Sequence, residues 1–174
     1  MERMSILDQP ENQNFLSPIG FRFLLQRLPT VQFMVQSVTL PSVVLGEAER
    51  DTPFVKIPQP GDHLQYEALS IRYRIDEDMI NYKEILSWME GLGTPYSFGS
   101  MRELVDTKSP SSRGDTFSDG TLAVLSSNNN LNKTITFIDM FPISLSPLQF
   151  DATMSDIEYL EADVSFRYQR FTID

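Results

Sequence analysis

The chain has no cysteine, a single histidine and a single tryptophan, and each scarcity closes off chemistry. Without cysteine there is no disulfide framework, no thiol nucleophile and no zinc site built on thiolates. Such a chain folds on packing alone. His63 would have to serve any catalytic dyad or triad single-handed, yet it follows Gly61-Asp62 at a turn signal, and a working site needs several convergent groups. A glycine-rich phosphate loop, a nucleophile elbow and a metal-binding helix motif are all missing from the sequence. These absences predict a protein that is not an enzyme and needs no cofactor or metal.

Positive charge is scarce as well. Lys and Arg number 14 against 24 Asp and Glu, a formal net charge of -10 over 174 residues. Gripping a phosphate backbone takes clustered positive charge, so the balance argues against tight nucleic-acid binding, whereas passage of DNA without capture is compatible with an acidic surface. No run approaches the ~20 apolar residues of a membrane helix, and residues 1–14 are too polar for a secretion signal. A soluble protein made in the cytoplasm, with no membrane partner, fits these features.

Aromatic and apolar residues are plentiful: 41% of the chain is hydrophobic, with 12 Phe and 6 Tyr, the composition of a packed globular protein. The length suits one domain, residues 1–174. Residues 1–20, with Pro10, Asn12-Gln13-Asn14, Pro18 and Gly20, lack periodicity and read as an N-terminal arm. Phe21 to Leu25 and Val31 to Gln36 then alternate as half-buried strands do, joined tightly across Leu28-Pro29-Thr30. After Ser37 the apolar parity shifts to Val38 and Leu40, the mark of a bulge. Pro53, Pro58, Pro60 and Gly61 punctuate the next stretch. Proline cannot donate to a sheet ladder, so Phe54-Val55-Lys56-Ile57 is expected in an edge strand or a projecting hairpin.

The strongest period-two signal is Leu69-Ser70-Ile71-Arg72-Tyr73-Arg74-Ile75. Its polar face carries Arg72 and Arg74, which either pair with acidic residues of a neighbouring strand or subunit or face solvent. Asp76-Glu77-Asp78 follows; carboxylates are ligands for hard cations, but capping of a following helix accounts for all three. That helix is predicted over 79–90, with an apolar stripe of Tyr82, Ile85, Leu86 and Met89, Trp88 as its core anchor, and Gly91 as its C-cap. Residues 94–120, rich in Ser, Gly, Pro and Asp, read as a loop insertion. Strands at 121–125 and 133–139 form a hairpin across Asn128-Asn129-Asn130, and one long strand from Ile157 to Ile173 closes the chain. The sum is a mainly β chain of about seven strands, an antiparallel sandwich or barrel with one packed α-helix.

Three blocks of this sequence resemble the tail tube proteins of contractile-tailed bacteriophages, a family similar to the tube rings of type VI secretion. Residues 33–46 read FMVQSVTLPSVVLG, a strand ending at a Thr-Leu-Pro turn. Residues 61–89 read GDHLQYEALSIRYRIDEDMINYKEILSWM, a Gly-Asp pair before a strand, an acidic cap and a helix with a tryptophan near its end. The third block pairs TITFIDMFPISLSPLQFD from residue 134 with IEYLEADVSFRYQRFTI from residue 157. The resemblance implies a tail-tube-like fold and hexameric rings that stack into a conduit for DNA ejection, inside a virion tail assembled in the host cytoplasm. It implies further that a loop like 43–60 reaches the next ring, which nominates Val43, Val44, Phe54, Val55, Lys56 and Ile57 as contacts between subunits or rings. The partners implied are other copies of the chain, the tail sheath, baseplate and neck rings, the tape measure protein and transiting DNA. A longer N-terminal arm and the 94–120 insertion depart from the simplest family pattern, which keeps open the related tube-initiator and terminator rings. A soluble β-sandwich that presents the 94–120 loop to a ligand is the alternative from another class.

Overall fold

The computed structural model describes residues 14–93, 116–151, 153 and 159–174. Its elements in chain order are β1 (Phe21–Leu25), α1 (Pro29–Phe33), β2 (Val35–Thr39), β3 (Val43–Asp51), β4 (Lys56–Tyr66), β5 (Leu69–Arg74), α2 (Ile80–Gly93), β6 (Ser118–Leu125), β7 (Leu131–Leu145), β8 (Glu161–Arg167) and β9 (Arg170–Ile173). Seven strands make one antiparallel sheet in the order β1-β6-β7-β8-β5-β2, with β9 also on β7, and β3-β4 stand apart as a two-stranded sheet. The class is the mainly β, antiparallel one expected, but with two helices rather than one among the described residues.

The long strand β7 organises the sheet. Its first part pairs with β6 and β9, and Phe141 onward pairs with β8. The switch happens at a bulge, where Ser118 and Gly120 of β6 face Met140 and Phe137, leaving Asp139 without a partner residue. Asp139 takes φ 55, a left-handed conformation that aspartate tolerates better than most side chains, and its amide donates to Asp119 Oδ1 at 3.1 Å. A bulge bends its strand. Here the bend brings two limbs of the sheet to bear on one core.

That core follows from period two. Leu69, Ile71 and Tyr73 of β5 are buried directly opposite Phe166, Val164 and Ala162 of β8. Phe23, Leu25, Leu122, Ile135, Phe137 and Met140 meet them from the other limb. Burying each large apolar side chain contributes about 1.5–3 kcal/mol. Helix α2 covers the core with Asn81, Ile85, Trp88 and Gly91, successive residues of one face. Of the stripe expected there, Ile85 is buried, Tyr82 and Met89 are partly buried, and Leu86 is exposed. The Asp76 carboxylate accepts from the amides of Ile80 and Asn81, both at 3.0 Å, which satisfies two of the orphan donors of the first turn. Gly91 is not the cap: it lies inside α2, buried, and the helix runs on to Gly93.

Three further expectations change. The Leu28-Pro29-Thr30 connection and the strand from Val31 are instead the start of α1, with Pro29 in the first turn, where its missing N–H costs no hydrogen bond. Val31 is buried and Phe33 is 80% exposed, so their alternation never shares a face. The terminal strand is two strands, because β8 pairs with β5 and β7 whereas β9 pairs only with the earlier part of β7. The parity shift at Gln169 is that break. Finally, β6 starts at Ser118, inside the stretch read as the 94–120 insertion. Residues 1–13 of the arm, 94–115 of the insertion and 157–158 of the terminal run lie outside the described residues.

Candidate assembly surface

The β3–β4 hairpin collects most of the exposed apolar residues that the sequence singled out. Val43 and Val44 start β3, Lys56 and Ile57 start β4, and Phe54 and Val55 form the connection at the tip. All six are exposed, with Phe54 at 98% and Val55 at 63%. The tip is held locally, since the Thr52 amide and hydroxyl donate to the Val55 carbonyl and the Val55 amide donates back to Thr52 Oγ1. Lys56 Nζ meets Glu49 Oε2 at 2.7 Å across the strands. Midway, the register slips between Leu45 and Glu47. Gly46 and Gly61 touch there, and a Cβ at Gly61 would run into the Gly46 carbonyl, so only glycine fits the close approach. His63 lies exposed on β4 in this slipped segment, rather than in a turn.

The sheet offers a second kind of surface. β2 is paired only with β5, and residues 141–145 of β7 only with β8. The four-stranded limb β2-β5-β8-β7 is therefore open at both edges among the described residues, each presenting backbone donors and acceptors. Its solvent face is charged and internally paired. Arg72 bonds Asp163 through two contacts at 2.9 and 3.4 Å, and Arg74 Nε lies 3.8 Å from Glu161 Oε1. The hydrogen bond and the charge of Asp163 push the Arg72 pKa up. Of the options the sequence left for the two arginines, the structure realises pairing with the neighbouring strand.

The core side holds few polar groups. Trp88 is 2% exposed, with Nε1 donating to the Thr116 carbonyl at 3.2 Å and its ring against Phe166 at 6.1 Å. Burial pushes the hydroxyl pKa of Tyr73 up, and that of Tyr168 to about 12; neither hydroxyl has a hydrogen-bond partner among the described residues. Among the described residues no group of three or more His, Asp or Glu converges on a metal position. Two features escaped the sequence: the open edges, which depend on which strands pair, and an apolar groove where β1 and α1–β2 part.

No protein-family model matches the chain, and no curated protein matches its sequence. Solved structures do match. The tube-terminating cap of the anti-feeding prophage superposes with a TM-score of 0.58 at 18% identity, over 98% of this chain and 99% of that one. A chain of the sheath–tube complex of PVC, an extracellular contractile injection system, gives 0.60 at 14% identity, over 93% of both chains. A chain of the PVC sheath/tube terminator gives 0.56 at 15% identity, over 94% and 99%. At such identities the likeness speaks for the fold, and the fold of this chain is the tail-tube-like one found in contractile injection systems.

Proposed function

We propose that this chain is a structural, non-catalytic subunit that closes head to tail into hexameric rings, which stack into the tube of a contractile tail or injection machine. The observation that carries this reading is the limb β2-β5-β8-β7, open at both edges. An exposed edge is a liability in a monomer. Two complementary edges on opposite sides of one sheet turn it into a heterologous contact that closes into a ring when the rotation permits. The face bearing Arg72, Arg74, Glu161 and Asp163 would then line the lumen. Arg72 and Arg74 are neutralised by Asp163 and Glu161, and Arg167 on the same face donates to the Tyr66 carbonyl. The face therefore presents no cluster of free positive charge to hold a polyanion, and the acidic balance of the whole chain further discourages DNA from sticking. The hairpin, standing off the sheet, is the element that reaches the next ring.

This reading makes copies of the chain the first partner. Sheath outside, baseplate and neck rings at the ends, and tape measure protein and DNA inside would be the others, in a tail assembled in the host cytoplasm. A related reading is a terminating cap, favoured by the end-to-end superposition on a tube-terminating cap over 98% of this chain. Electron microscopy of the purified protein tests the main proposal, with stacked rings or hollow tubes expected. A protein that stays monomeric at high concentration overturns it, and ligand binding lost on deleting 94–115, which leaves β6 intact, would favour the binding module. Copy number in the assembled particle separates tube from cap, since a tube subunit ranks among the most abundant chains.

A further inference from the structure

Among the described residues the hairpin tip is an apolar knob without a socket, and an apolar groove on the same chain is a socket without a knob. Strand β1 is paired, among the described residues, only with β6, and α1 carries the chain across to β2 without closing the sheet between them. The gap is a groove of about 670 Å³ lined by Ile19, Phe21, Leu24, Phe33 and Val35, with Arg22 among its polar residues. Ile19 is 86% exposed and Phe33 80%. Apolar residues gathered this densely on a surface mark an interaction site.

We infer that the groove between β1 and α1–β2 receives the hairpin tip, Phe54 and Val55, of a second copy of this chain. Charge supports the choice of occupant. Arg22, exposed on β1 beside the groove, has no ion-pair partner among the described residues, and neither has Asp51 at the end of β3. Asp51 stands in register with Lys56, but the Lys56 ammonium is engaged by Glu49. Asp51 stands three residues from Phe54 and Arg22 lines the groove, so the tip and its seat carry opposite charges next to their apolar residues. Reach supports it too, since the nine residues of β3 extend about 30 Å at ~3.3 Å per residue, enough to leave the subunit's own surface. Knob and socket are different patches, so the contact is heterologous and propagates from copy to copy. The inference rests on the self-assembly proposed above and names the surface that accepts the hairpin.

The absence of cysteine permits a clean test in the full chain. Val55→Cys and Gln32→Cys leave Phe54 and Phe33 in place and put one thiol at the tip and one at the groove. On oxidation, an equimolar mixture of the two variants is expected to give disulfide-linked dimer at several times the yield of either alone, and several times that of Val55→Cys mixed with Glu90→Cys, a control thiol on the exposed side of α2 away from the groove and the open strand edges. In the crosslinking background, Asp51→Arg or Arg22→Glu is expected to lower that yield severalfold, and the two exchanges together to restore it. A mixture that crosslinks no better than the Glu90→Cys control overturns the inference, as does a charge exchange that fails to rescue. The two ideas fail separately: rings without this crosslink leave the ring proposal standing and remove the socket, and this crosslink without rings does the reverse.

Discussion

The β5–β8 pair and the β3–β4 hairpin are both antiparallel ladders with ionic pairs on one face, yet they differ in what lies beneath them. Under β5 and β8, alternate residues reach a core closed by α2 and the far limb of the sheet, and Leu69, Tyr73, Val164 and Phe166 are fully buried. Among the described residues the hairpin rests on the core only at its foot, where the Tyr66 ring packs against Tyr168 and Phe171. Its residues from Val43 to Ile57 are exposed or at most half-buried, so its ladder has little apolar burial behind it, and isolated two-stranded hairpins are marginal in water. One ladder is built to hold a subunit together; the other has apolar surface left for a neighbour. The same residue types that are buried for stability in the first stand exposed in the second.

Four measurements break or sharpen that contrast. The largest effect is expected for Phe137→Ala, which empties the centre of the Phe137–Tyr168–Phe171 cluster and costs about 3–5 kcal/mol in urea unfolding. Alkaline pH comes next. Because burial raises the hydroxyl pKa values of Tyr73 and Tyr168 in the folded state, their contribution is complete below the unfolded tyrosine value of about 10. It declines above that value, toward about 12 for Tyr168. An absorbance titration should show two of the 6 tyrosines resisting ionisation until the protein unfolds, and Tyr168→Phe should flatten the alkaline loss of stability.

Asp76→Ala, which uncaps α2, is expected to cost about 1 kcal/mol at neutral pH. Desolvation pushes the Asp76 carboxyl up, but the amides of Asn81 and Ile80 outweigh it and the net shift is downward. A lowered folded pKa gives stability that is present above the unfolded carboxylate range and lost as pH falls through the folded value. The gap between wild type and Asp76→Ala should therefore close on acidification, and equal acid sensitivity of the two would count against the cap. Smallest is Phe54→Ser at the hairpin tip, expected to change subunit stability by no more than about 0.5 kcal/mol while reducing self-association in sedimentation. If it destabilised the monomer as much as Phe137→Ala, the contrast between the two ladders would be lost.

Much of this was legible in the amino acids. Cross-strand alternation marked β5 and β8 because each strand has one buried and one wet face, and side-chain period two records that directly. Proline spacing marked the hairpin, since Pro58 and Pro60 cannot donate to a ladder. Asp76 announced α2 because its carboxylate meets free amides only a few residues away. The hairpin residues Val43, Val44, Phe54, Val55, Lys56 and Ile57 were nominated by resemblance, and the structure places them on one exposed element. Failures came where local signals compete. Val31 to Gln36 has strand alternation, but Pro29 starts a helix and packing of Val31 with a Thr30–Glu84 hydrogen bond of 3.0 Å fixes the short turn of α1.

The sequence by itself determined the class of protein: no thiol chemistry, a lone histidine, an acidic surface, and alternating runs that can only bury one face each. Those are local properties, written in residue type and in spacing of two or three to four. Only the tertiary structure decided where β7 bends, which strand edges stay open and that a groove lies between β1 and α1–β2. Each of these depends on which distant segments pair, and hydrogen-bond partners across a hundred residues leave no periodic trace in the chain.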